Sequence, residues 1–128
     1  MKFNEFNLKP ELIHTLDDMG FEEPTPIQQQ AIPHALEGRD VIGQAQTGTG
    51  KTAAFGLPML NKIHNNNKGI QGIVIAPTRE LAIQVQEEIF RLGKDVRARV
   101  FTVYGGTSIQ KQIERIKRNQ PQIIVGTP

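Results

Sequence analysis

Short apolar runs alternate along this chain with segments whose apolar residues recur every three or four positions, and this alternation restricts the fold more than any other feature. Strand character falls on Asp40 to Ala45, Ile70 to Ala76, Ala98 to Tyr104 and Gln122 to Gly126. Between these runs lie an apolar helix from about Lys51 to Ile63, a helix with the stripe Leu81, Val85, Ile89 and Leu92 that ends at Gly93, and a helix marked by Ile109, Ile113 and Ile116. Strands separated by helices pair in parallel, because the crossover returns the chain to the same end of the sheet. Ahead of them, Leu12, Leu16 and Met19 fall at i, i+4 and i+7 between Pro10 and Gly20, a helix with both ends marked. A second helix starts at Thr25 with Pro26 in its first position and Gly38 at its close, and Pro33 predicts a kink in it. The expectation is an α/β fold, a four-stranded parallel sheet with helices on both faces over residues 39–128, behind a two-helix lead-in over residues 1–38.

At 128 residues the chain holds one core. It has no cysteine, which removes disulfide scaffolds, thiolate zinc sites and cysteine nucleophiles. The longest aliphatic run is Ile73-Val74-Ile75-Ala76, far short of a membrane span, and the acid in Met1-Lys2-Phe3-Asn4-Glu5 argues against an export signal, so a cytoplasmic location without membrane contact is expected. His14, His34 and His64 are scattered without ligand spacing. Charge is uneven: residues 1–90 carry 7 basic and 11 acidic side chains, residues 91–128 carry 8 and 2. A basic C-terminal third suits either a nucleic-acid surface or a solvated helix face.

The chemistry concentrates in Ala45-Gln46-Thr47-Gly48-Thr49-Gly50-Lys51-Thr52, which follows one expected strand and opens a helix. This is the Gly-Lys-Thr pattern of a P-loop, with Ala45 where the strict form has glycine. Small residues let successive N–H groups of Gln46, Thr47, Gly48, Thr49 and Gly50 turn inward toward phosphate oxygens, and the helix start adds partial positive charge. Lys51 would reach the terminal phosphates as a point charge, and the Thr52 hydroxyl would ligate Mg²⁺.

Upstream, Gly20-Phe21-Glu22-Glu23-Pro24-Thr25-Pro26-Ile27-Gln28 resembles the Q motif of the DEAD-box RNA helicases, with Phe3 in the place of that family's isolated upstream aromatic. Pro77-Thr78-Arg79-Glu80-Leu81-Ala82 resembles motif Ia, Gly105-Gly106 the GG motif, and Thr127-Pro128 the start of motif Ib. Order and spacing agree over essentially the whole chain, and the flavour is that of the bacterial cold-shock type. The resemblance implies a RecA-like P-loop NTPase domain that binds ATP with Mg²⁺. Phe21 would stack on adenine and Gln28 would read its edge, a task suited to an amide fork that matches adenine and mismatches guanine. Thr25 and Gln28 are also spaced as a capping box, and Phe21 follows a helix-closing glycine where an apolar residue packs back, so structural roles stand beside the functional ones. Phe3 suits a buttress.

The same resemblance assigns RNA contacts to Pro77, Thr78, Arg79, Gly105, Gly106 and Thr127. Such contacts go to phosphate and sugar, which makes binding independent of sequence. An N-capped surface helix carrying Arg79 and a plain Gly-Gly turn remain the structural alternatives. No Asp-Glu-Ala-Asp occurs in these residues. The chain is therefore expected to be the first part of the N-terminal RecA-like domain, ending before the Walker B motif, of a longer ATP-dependent RNA helicase. In that parent it would work with a second RecA-like domain and with RNA-decay or ribosome-assembly partners. The piece would supply ATP binding and part of the RNA surface. A nucleotide- or RNA-binding module without catalysis and another P-loop ATPase are the alternatives.

Overall fold

Pro10 and Gly20 bracket the first helix as their backbone preferences require: proline has no N–H to lose at a helix start, and Gly20 takes φ +80° to close the end. In the computed structural model, which describes every residue except Thr47, Thr49, Asn67 and Lys68, this helix is α1, Pro10–Asp18. A short 3-10 turn at Phe3–Glu5, not expected from the sequence, precedes it. Then follow α2 (Pro26–Leu36), α3 (Lys51–Lys62), β1 (Gly72–Ile75), α4 (Arg79–Leu92), β2 (Val100–Val103), α5 (Ile109–Asn119) and β3 (Ile123–Gly126). α2 continues through Pro33 into its last turn.

The three strands are parallel in the order β1-β3-β2, with Ile75 and Val103 both in register with Gly126. The chain steps from β1 over β3 to β2, then back to β3. Right-handed crossovers therefore put α4 and α5 on opposite faces. Contacts of β2 agree: Gln86 of α4 donates to the Val100 backbone carbonyl, while Arg115 of α5 lies over the Phe101 ring at 4.7 Å. Helices on both faces are thus present.

The expected strand over Asp40 to Ala45 is not: this segment is irregular and joins neither of the two ladders. Ile42 is 98% exposed. Apolar residues confer strand propensity, but a strand exists only where a neighbouring edge takes its N–H and C=O groups. Among the described residues the sheet has three strands rather than four.

The core gathers Leu12 and Leu16 of α1, Ile32 of α2, Leu57 and Leu60 of α3, Ile89 and Leu92 of α4, and Ile123 and Val125 of β3, all nearly or fully buried. Phe3 and Phe6 fold onto it edge to face, with ring centroids 6.0 Å apart. On the other side of the sheet α5 buries none of its residues.

Candidate functional site

The turn into α3 carries the strongest constraints. Gly48 and Gly50 both adopt positive φ, +84° and +86°, which lets the backbone curl; Gly50 then serves as the N-cap of α3 in the left-handed region. A Cβ on Gly50 would run into the Gln28 side-chain amide, so only glycine fits. Lys51 is the first residue of α3 and is exposed, with Thr52 half-buried beside it. The first amides of a helix have no intrahelical acceptor, and they gather here at the positive end of its dipole. Gln46 is exposed next to them. Thr47 and Thr49, expected in the same cradle, lie outside the described residues.

Gln28 ties this turn to the lead-in. It is 2% exposed; its Oε1 accepts from the Thr25 amide at 2.9 Å, and its Nε2 donates to the Gly50 carbonyl at 3.1 Å. The same carbonyl accepts from the Ala54 amide at 3.1 Å, so both of its lone pairs are used. One side chain thereby caps α2 and fixes the first turn of α3. The Gln28 amide keeps one further hydrogen and one lone pair beyond these bonds. The Thr25 hydroxyl faces its capping partner more loosely, and Oγ1, though buried, has no hydrogen bond of good geometry among the described residues. Phe21 is half-buried, its ring 5.9 Å from that of Phe3, and its amide donates to the Leu16 carbonyl. Phe3, 4% exposed, supports Phe21 from behind, the place expected of a buttress.

A groove of about 900 Å³ is lined by Gly48, Gly50, Lys51 and Thr52, by residues of β1 through Pro77, and by Leu81, Gln84 and Glu88 of α4. Its floor is the free edge of β1, where Ile73 and Ile75 are about 70% exposed. Loop and motif Ia segment thus open into one cleft, at the carboxyl edge of a parallel sheet, where ligands of such sheets bind. At that edge the register does the positioning. Pro77, Thr78 and Arg79 follow β1, Gly105 and Gly106 follow β2, and Thr127 follows β3 between them; the Thr127 amide donates to the Val103 carbonyl at 3.2 Å. Thr78 caps α4, its hydroxyl accepting from the Leu81 amide at 3.2 Å, and Arg79, which is exposed, opens that helix. Gly106 takes φ +83° in an exposed turn. The structural readings of Gln28, Thr78 and the Gly-Gly turn are thus met by capping and turn geometry.

The basic excess beyond residue 90 is partly structural. Arg99 donates to the Asn119 and Gln120 carbonyls at the end of α5, and Arg115 donates to the Thr102 carbonyl. Far from the cleft, His14 bonds Asp95 at 2.8 Å with Asp18 at 3.6 Å, linking α1 to the turn after α4. Its imidazole is held above the usual value, first by the Asp95 hydrogen bond and then by the Asp18 charge, and the same bond lowers Asp95. Sequence reasoning missed this pair because no local pattern joins residues 81 positions apart. It also missed that the Gln112 side chain bonds both the amide and the carbonyl of Tyr104.

Residues 25–128 match the DEAD/DEAH box helicase profile. The chain belongs to that family. Among curated relatives it is 59% identical over 126 residues to "DEAD-box ATP-dependent RNA helicase CshA" of Bacillus cereus and 60% identical over 126 residues to the protein of the same name in Bacillus subtilis. It is 58% identical over 127 residues to "ATP-dependent RNA helicase CshA" of Listeria monocytogenes. These alignments cover 98–99% of this chain and 24–25% of the relatives, so the chain spans about a quarter of their length. Its structure superposes on the crystal structure of a DEAD box protein from the hyperthermophile Methanococcus jannaschii with a TM-score of 0.92 and 42% identity, covering 100% of this chain and 35% of that one. The fold of this DEAD-box chain is accordingly RecA-like α/β. Among the described residues no helix is long and apolar enough to cross a membrane.

Proposed function

We propose that this chain is the nucleotide-binding part of an ATP-dependent RNA helicase, a cytoplasmic enzyme that couples RNA-stimulated ATP hydrolysis to local duplex unwinding. The observation that carries the reading is Gln28, buried and bonded at once to the start of α2 and to the carbonyl that begins α3. A residue of the expected adenine-reading segment is mechanically joined to the expected phosphate loop. Residues 1–38 form the lead-in unit and residues 39–128 the first part of the ATP-binding domain.

The residues present suit ATP with Mg²⁺. Gly48 leaves its turn open, the α3 amides offer donors, and buried Thr25 Oγ1 retains its hydrogen-bonding capacity beside Gln28. Gly48, Gly50 and the flanking Gln46, Thr47 and Thr49 hold the phosphates, Lys51 neutralises their charge, Thr52 ligates the metal, and Phe21, Thr25 and Gln28 face the base. Bound ATP supplies a cleavable γ-phosphate whose loss changes the contacts made around it. Pro77, Thr78, Arg79, Gly105, Gly106 and Thr127, which follow the carboxyl ends of β1, β2 and β3, hold the RNA backbone. No Asp-Glu-Ala-Asp occurs in the 128 residues, so this stretch is assigned binding, and hydrolysis is assigned to the longer protein together with a second RecA-like domain. RNA-decay or ribosome-assembly proteins are the proposed partners.

The test compares ATP with GTP in the full-length protein that contains this chain. RNA should stimulate ATP hydrolysis selectively, and Lys51→Ala should abolish measurable nucleotide affinity. Equal stimulation with both nucleotides would remove the role given to Gln28, and unchanged affinity in Lys51→Ala would remove the phosphate loop.

A further inference from the structure

The Arg79 guanidinium lies over the Tyr104 ring, 4.3 Å from its centroid. Arg79 follows β1 and Tyr104 follows β2, the two outer strands, so this contact bridges the end of the central strand β3, where Thr127 sits. No carboxylate pairs with Arg79 among the described residues. The geometry matters chemically. A carboxylate partner would occupy the edge of the guanidinium, where its five N–H donors lie, whereas stacking engages only the face. Held this way, the fork stays open to a phosphate, which it can meet with two parallel hydrogen bonds.

Tyr104 is itself held, and not by the flexible glycines that follow it. The Gln112 side chain of α5 closes on both polar groups of its backbone: the Tyr104 amide donates to Gln112 Oε1 at 3.0 Å, and Gln112 Nε2 donates back to the Tyr104 carbonyl at 3.0 Å. The same Nε2 donates to the Thr107 hydroxyl at 2.7 Å. One amide acts as a one-residue strand partner, extending the order of β2 past Val103. A chain of contacts thus runs from α5 through Gln112 and Tyr104 to Arg79.

We propose that Tyr104 and Gln112 are positioning residues for RNA: Gln112 fixes Tyr104, and the Tyr104 face orients Arg79 across the end of β3 for a bidentate contact with an RNA phosphate. The inference rests on Arg79 being an RNA contact. It adds two residues outside the motif positions and a reason for the aromatic ring immediately before Gly105.

The test measures dissociation constants for a single-stranded RNA oligonucleotide and KM for ATP in the full-length protein. Tyr104→Leu should weaken RNA binding about two- to fivefold, the range of an exposed cation–π contact, with KM for ATP unchanged. Tyr104→Phe, which keeps the ring, should bind as wild type. Gln112→Met should weaken binding in the same direction, and it carries the test if Tyr104→Leu fails to fold. In the double variant with Arg79→Ala, loss of the ring should add nothing to the loss of the arginine. If Arg79→Ala weakens RNA binding while both Tyr104→Leu and Gln112→Met bind like wild type, the positioning role is overturned and the RNA reading stands. Equal losses for Tyr104→Leu and Tyr104→Phe, or full additivity with Arg79→Ala, overturn it as well. Unchanged affinity in Arg79→Ala overturns the RNA contact, and the positioning role falls with it.

Discussion

Gln28→Glu isolates one bond in the site. The two side chains are nearly isosteric, so the acceptor toward the Thr25 amide survives. The donor toward the Gly50 carbonyl does not, and a carboxylate oxygen takes its place at about the 3.1 Å now spanned by the hydrogen bond. Losing the bond removes roughly 1 kcal/mol. Burial at 2% exposure also opposes the charge: the introduced carboxyl titrates above its ordinary value, and each unit of that rise adds about 1.4 kcal/mol of destabilisation once the group ionises. The lost bond is one cause of that rise and is not added to it: a rise of about two units corresponds to about 2.7 kcal/mol, roughly a hundredfold in an equilibrium constant. Protonated, the same carboxyl is a donor and can restore the bond to Gly50. Because its folded-state pKa is raised, its stability contribution is present at acid pH and lost as pH rises through the folded value. ATP affinity and the thermal midpoint of full-length Gln28→Glu should therefore approach wild type only near about pH 4, below the ordinary carboxyl value, and fall well below it by about pH 8. A wild-type-like variant at the higher pH, or a deficit that does not change with pH, would refute the coupling of Gln28 to the phosphate loop.

Three further outcomes follow from the same structure. Gly50→Ala should abolish ATP binding without global unfolding, since φ +86° and the Gln28 amide both exclude a Cβ; calorimetric titration checks it, and tight binding would show that the loop tolerates another backbone path. Replacing His14 with Gln should remove a stabilisation that is complete below the unfolded imidazole value and fades as pH rises through the raised folded one, while the Asp95 share fades only at acid pH as it falls through that group's lowered value. The difference in unfolding midpoint from wild type should accordingly be largest in mildly acidic buffer and vanish in alkaline buffer. Leu57→Ala, at a fully buried position between α3 and the core, should destabilise by about 2–5 kcal/mol in denaturant titrations.

The helices were legible because their signals are local. Pro10 with Gly20, Thr25 with Gln28, and Gly93 after the stripe Leu81 to Leu92 mark ends that each segment sets within itself. The Gly-Lys-Thr turn was legible for the same reason, since positive φ at Gly48 and Gly50 is a demand on single residues. The segment Asp40 to Ala45 was misread because strand formation is not local: Val41 and Ile42 have the right side chains, but no ladder receives them. Register, likewise, could not be read from any one strand.

The amino-acid sequence by itself determined the parallel α/β class, the helix ends and the residue types of the phosphate turn, because propensity, capping and backbone freedom act within a few positions. Only the tertiary structure decided that Gln28 would bond Gly50 across 22 positions, that Arg79 would stack on Tyr104, and that Gln112 would clamp the end of β2. Those contacts depend on where the helices dock against the sheet and against one another. Docking is set by the summed burial of Leu12, Leu57, Leu60, Ile89 and Val125, a many-body quantity that no single motif encodes.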